Sequence, residues 1–159
     1  KEYPKIVFSI DTCRSKVAKL ASEAGAGIIN DISGGSMDNE LIATVAATGL
    51  PYILMHMQGT PVNMQQNPVY KDVVSEVNGF FNQKTEVLIN AGISQVILDP
   101  GFGFGKTIEH NFQLLNKLSI FKKNGFFYVD IRSTQCNPIK YKPKHHYKLK
   151  KCGINSNAR

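Results

Sequence analysis

Asp-Pro-Gly-Phe-Gly-Phe-Gly-Lys-Thr, residues 99–107, follows directly on the apolar run Gln95, Val96, Ile97 and Leu98. A β-branched run that ends in a carboxylate reads as a strand. Thr107 then reads as the N-cap of a helix that sets Ile108, Phe112, Leu115 and Leu118 on one face. Between them, Gly101, Gly103 and Gly105 let backbone approach a ligand closely, Phe102 and Phe104 can pack on a flat ring, and Lys106 stands where the helix begins. Neither nucleotide motif fits. A phosphate loop needs glycine at position 100, which is Pro100, and a dinucleotide fingerprint needs it at 106 or 108, which are Lys106 and Ile108. A plain tight turn is the bland alternative.

The same order of strand, polar end and helix occurs three more times upstream. Residues 6–10 form an apolar run ending at Asp11 and Thr12, followed by Val17, Leu20, Ala21 and Ala24 at helical spacing and Gly25 as the stop. Residues 27–29 end at Asn30 and Asp31, and a helix over 39–48 buries Leu41, Ile42 and Val45 before Gly49. Residues 51–55 end at His56. A polar loop with Gly59, Thr60, Pro61, Asn67 and Pro68 leads into a helix over 71–90, with Val73, Val77, Phe80, Phe81, Val87 and Leu88 inward. A fifth apolar run, 126–129, follows Gly125. Four βα units and a fifth strand predict an α/β protein with a parallel sheet, which either a (β/α)8 barrel or an open doubly wound sheet supplies.

In both architectures the strand ends face one side, so Asp11, Asn30 with Asp31, His56 and Asp99 converge on one pocket. Taken singly, each has a structural alternative: Asp11 as a helix cap, Asn30 as a partner for loop backbone, His56 as a hydrogen-bonded core histidine. Together they make a pocket suited to a flat polar heterocycle, because carboxylates accept from amidine-like edges and amides match mixed edges. Only His56 and His110 precede residue 126, no serine sits on a G-x-S-x-G elbow, and no His-Glu pair has metal spacing, so hydrolase and zinc readings are weak.

The 159 residues carry a formal charge of +7. All of it falls in residues 126–159, which hold 8 Lys plus Arg against 1 Asp plus Glu, while the preceding 125 hold 11 of each. The body therefore makes no electrostatic case for nucleic acid, and the basic tail lacks aromatics interleaved with arginine. Cys13, Cys136 and Cys152 form neither a disulfide framework nor a zinc pattern, which points to a reducing, cytoplasmic setting. No apolar run approaches a membrane span, no signal peptide is evident, and Lys1 in place of Met suggests a missing start.

At these residues the chain resembles dihydropteroate synthase, a pterin-binding TIM-barrel family, over about residues 5–125. The resemblance rests on SIDT (9–12), IINDISGG (28–35), LMHMQGTP with a later MQ (54–65), PVYKDVVSEV (68–77) and DPGFGFGKTIEHNFQLL (99–115). It implies an enzyme that condenses 6-hydroxymethyl-dihydropterin pyrophosphate with p-aminobenzoate, with Mg2+ as cofactor. Asp11, Asn30, Met55 and Asp99 would bind the pterin, Phe104 and Gly105 would lie on the p-aminobenzoate side, and His56 and Lys106 would border the site. No residue is assigned a chemical step, and no metal ligand is expected within this chain. The alternative is a pterin-binding domain of the methyltetrahydrofolate methyltransferase type. Partners are expected to be these small molecules, with no nucleic acid and no membrane, and a homodimer at full length.

By the same resemblance the chain covers about strands 3 to 7 of the barrel, in a domain spanning 1–129. Strands 1, 2 and 8 would be missing, with the family's magnesium-contacting asparagine. The family's Ser-Arg-Lys and Arg-x-His are not matched by Val129, Asp130, Ile131, Arg132, Ser133 and Thr134. Residues 130–159 are expected to be a disordered or frame-shifted Lys-rich tail, and the chain alone is expected to be inactive and prone to associate through its open sheet edges.

Overall fold

In the computed structural model, which describes residues 6–124 together with Phe126 and Phe127, the four strand and helix units stand in the expected order. They are β1 (Ser9–Asp11), α1 (Ser15–Glu23), β2 (Ile28–Asp31), α2 (Leu41–Thr48), β3 (Tyr52–Met55), α3 (Val73–Asn90), β4 (Val96–Asp99) and α4 (Ile108–Asn116), then a 3-10 segment (Leu118–Asn124) and β5 (Phe126–Phe127). The expected continuation of the last strand to 129, the boundary placed after it and the tail at 130–159 lie outside the described residues.

All five strands are parallel, and each lies beside its predecessor in the order β1-β2-β3-β4-β5. A doubly wound sheet reverses its strand order at a switch point. None occurs among the described strands, and sequential order is that of a barrel.

The register sets Asp11 beside Asn30, Asn30 beside Ile53, and Ile53 beside Ile97, with Met55 beside Asp99 one step along. Because side chains alternate along a strand, Ile29, Tyr52, Leu54, Val96 and Leu98 occupy the other face. There they join Ala18, Leu41, Val45, Val73, Val77, Phe81, Leu88 and Leu114 in one core. All four helices therefore contribute to the layer on that face, and the polar strand ends Asp11, Asn30 and Asp99 lie on the opposite one.

Several expected inward positions face outward. Ile6, Val7 and Phe8 are exposed, and β1 begins only at Ser9, where pairing with β2 starts. Val17 and Leu20 are exposed too, because α1 packs on α2 through the small Ala18. On α3 the buried row is Val73, Val77, Phe81, Thr85 and Leu88, an i+4 and i+3 series that leaves Val87 outside. On α4, Leu114 is the buried residue, whereas Ile108 in the first turn is 74% exposed. Leu118 belongs to the 3-10 segment, whose Phe121 meets Phe81 edge-on with ring centroids 5.6 Å apart.

Helix starts follow capping chemistry. The Asp72 side chain accepts from Val74 N and Ser75 N, and Thr107 forms a capping box with His110. Asp38 ties two units together: its carboxylate accepts from Ser15 N at 2.7 Å and Ser15 Oγ at 2.8 Å at the start of α1, and from Glu40 N just before α2. Truncation of the buried Phe81 to alanine should cost about 3–5 kcal/mol in urea unfolding. Val87→Ala should stay within about 0.5 kcal/mol, as expected of a surface position.

Candidate functional site

Four strand-end residues share the open face of the sheet: Asp11 on β1, Asn30 on β2, Met55 on β3 and Asp99 on β4. Asn30 Nδ2 donates to Asp11 Oδ1, which turns the amide carbonyl away from Asp11. Met55 and Asp99 are register partners and both are buried. Asp99 Oδ1 accepts from Gly101 N at 2.8 Å, so the carboxylate also shapes the first turn of the glycine loop. The arrangement offers carboxylates and an amide in a row, with a thioether beside them.

Asp31, next to Asn30 in sequence, points the other way. It is fully buried on the helix side and accepts from Ser33 N at 2.8 Å, Ser33 Oγ at 2.7 Å, Gly35 N at 2.6 Å and the Tyr52 hydroxyl at 2.6 Å. Four donors satisfy this carboxylate, which holds the loop after β2 in shape. Burial and the adjacent carboxylate push the Tyr52 phenol up, and Cys13 is raised by burial and by Asp31 in turn.

His56 and Lys106 are buried as well. His56 packs edge-on against Phe80 with centroids 5.0 Å apart, and it is 7% exposed. Lys106 is 3% exposed. Its Nζ lies 3.0 Å from His56 Nδ1 and donates to His56 O at 3.1 Å, Gly101 O at 3.0 Å and Phe104 O at 3.0 Å. The reason is local: one residue beyond Met55, the alternation turns His56 toward α3, and the glycine loop folds its carbonyls back onto the lysine.

The loop of residues 101–105 is packed against the chain after β3. Gly101 and Gly105 have φ of +67° and +63°, and a Cβ would stand 2.0 Å from His56 O at the first and 2.5 Å from Gln58 O at the second. Both positions require glycine on conformation and on space. Gln65 Nε2 donates to Gly103 O, the Tyr70 hydroxyl donates to Gly105 O at 2.8 Å, and Gly103 N donates to Asn111 Oδ1 at 3.0 Å. Phe102 and Phe104 are half-buried. Sequence reasoning missed Gln65, Tyr70 and Asn111, whose types and spacing carry no sign of these distant partners.

The sequence profile of the family described as pterin binding enzyme matches residues 1–131. The chain belongs to that family. A dihydropteroate synthase from Synechocystis is 43% identical over 123 residues, covering 76% of this chain and 43% of that protein. The crystal structure of Yersinia pestis dihydropteroate synthase with a sulfonamide drug superposes with a TM-score of 0.76 at 40% identity, over 80% of this chain and 47% of that one. Thermus thermophilus dihydropteroate synthase in complex with 4-aminobenzoate gives 0.74 at 38% identity, over 78% and 49%. The chain thus spans less than half the length of these curated relatives. Its sheet is part of a (β/α)8 barrel.

No group of three or more His, Cys, Asp and Glu among the described residues could hold a metal ion. Among the described residues, no helix is long and apolar enough to cross a membrane.

Two titrations follow from the burial of His56 beside Lys106. Burial, then the nearby ammonium, lowers His56 from 6.5 to about 3, while burial lowers Lys106 from 10.5 to about 7 against the pull of Asp99. The folded protein thus refuses a proton that the unfolded histidine takes up, so stability should fall as pH drops from 6.5 toward 3. The cost of burying the ammonium is full below pH 7 and is relieved as pH rises toward 10.5. Urea unfolding across pH should show both slopes, the acid one flattened in His56→Gln and the alkaline one in Lys106→Met.

Proposed function

We propose that this chain carries the pterin-binding part of a dihydropteroate synthase, which joins 6-hydroxymethyl-dihydropterin pyrophosphate to p-aminobenzoate and releases pyrophosphate. The observation that carries the reading is the convergence of Asp11, Asn30, Met55 and Asp99 on one face of the sheet, beside the glycine loop. Ionised carboxylates accept from the N–H groups of an aminopyrimidinone edge, and an amide meets its mixed donor and acceptor positions. Met55 supplies a polarizable surface for the ring face. Phe104 and Gly105 form the p-aminobenzoate side. The Thermus thermophilus enzyme is known in complex with 4-aminobenzoate and with 6HMPPP, and both support the substrate assignment.

In the proposed reaction the bond from the exocyclic methylene to the pyrophosphate oxygen breaks first, and its electron pair leaves with pyrophosphate. The amine of p-aminobenzoate then forms the C–N bond and loses a proton. Asp11 and Asp99 stabilise the positive charge that develops across the pterin and its methylene, an effect stronger at the buried Asp99 than at the exposed Asp11. For the whole protein the reading includes Mg2+, a homodimer and a cytoplasmic location. In this reading residues 1–129 belong to the pterin-binding barrel and residues 130–159 are a Lys-rich tail.

Calorimetry on the 159-residue chain tests the reading. A pterin should bind, 4-aminobenzoate should bind and be displaced by a sulfonamide, and Asp99→Asn should weaken the pterin about 10- to 100-fold, as expected for loss of a charge-assisted hydrogen bond. Pterin binding without any 4-aminobenzoate binding would favour the methyltransferase type of pterin domain. Absence of pterin binding would sink the proposal.

A further inference from the structure

Four carbonyls of the glycine loop are taken by side chains. Lys106 Nζ takes those of Gly101 and Phe104, Gln65 takes Gly103, and the Tyr70 hydroxyl takes Gly105. Lys106 differs from the other two donors because it also reaches the end of β3, through His56 O and His56 Nδ1. Its three protons serve four acceptors, all 3.0–3.1 Å away. Three carbonyl oxygens converging on one buried point repel one another unless a cation lies between them. With the lysine 3% exposed, bulk water has no ready route to replace it.

The close approach at Gly101 and Gly105 leaves the loop no room to shift toward residues 56–58. Packing thus blocks movement in one direction, and the ammonium draws the loop against that block. The two residues on the p-aminobenzoate side, Phe104 and Gly105, immediately precede the lysine, and the carbonyl of Phe104 is bound by it.

We infer that Lys106 is a positioning residue for the p-aminobenzoate side of the site, tying residues 101–105 to the end of β3 and so placing Phe104 and Gly105. This rests on the function proposed above for those two residues. Lys106 acts through the carbonyls of Gly101 and Phe104 and does not border the ligand itself. The same contact selects the tautomer of His56: an ammonium has no lone pair to offer, so Nδ1 accepts and the ring proton resides on Nε2.

The test uses the 159-residue chain and three readouts. NMR of isotopically labelled histidine, with His56 assigned by His56→Gln, should show Nδ1 bare and Nε2 protonated in the unsubstituted protein near pH 6. The opposite tautomer overturns the inference without any variant at Lys106. In Lys106→Met, amide exchange across residues 101–105 should accelerate about tenfold or more, while amides of β2 and β3 keep their protection. Affinity for 4-aminobenzoate should fall roughly tenfold and that for a pterin by less than about threefold, a split that general loss of structure does not produce.

In Lys106→Ala, added n-propylammonium should restore 4-aminobenzoate binding, and n-propanol should not. Equal loss of both ligands without rescue overturns the inference, as does unchanged loop exchange in Lys106→Met. Should both variants fail to fold, the tautomer in the unsubstituted protein still decides. A chain that binds neither ligand defeats the functional proposal, while tautomer and exchange continue to judge the latch.

Discussion

Side chains alternate along a strand, and parallel register carries that alternation from one strand to the next. Asp11 beside Asn30, Asn30 beside Ile53 and Met55 beside Asp99 place the polar strand ends on the face opposite the helices. A slip of one residue in β2 would exchange Asn30 for Asp31, bringing the buried carboxylate to the open face and the amide into the core. The register is held because Ile29, Tyr52, Leu54, Val96 and Leu98 must all bury against α1 to α4. Hydrophobic burial on one side thus decides which polar groups stand on the other.

Behind this face, two polar clusters are satisfied from within. Asp31 collects four donors from the loop after β2 and from Tyr52, and Lys106 reaches four acceptors from the glycine loop and the end of β3. Buried charge is costly unless hydrogen-bonded, so each cluster constrains its loop to a narrow range of shapes. The depressed Lys106 and His56 express the same cost from the side of protonation. Charged and hydroxylic side chains thus hold the inward-turned groups of both loops in place.

The succession of strands and helices was legible because apolar runs, caps and glycine stops agree locally. Thr107 and Gly49 perform the parts their types suggest, one as a helix cap and one as a left-handed stop. Helix faces were less legible. Val17, Leu20, Val87 and Ile108 are apolar and correctly spaced but exposed, since spacing defines a stripe and only the neighbouring layer defines which stripe is covered. Asn30 and Asp31 looked equivalent at a strand end, and His56 and Lys106 looked like parts of a pocket border. Their separation needs the pleat and the folded-back loop.

By itself the sequence determined the α/β order, the strand ends that bear Asp11, Asn30 with Asp31, His56 and Asp99, and the glycine loop, because these follow from local propensity and from residue type at fixed spacing. Strand order, which favours the barrel over the doubly wound sheet, was decided in three dimensions. So was the burial of Lys106 against His56, fifty residues earlier in the chain. Such contacts between distant segments leave no periodic trace in the chain, since they are set by packing geometry rather than by local conformational preference.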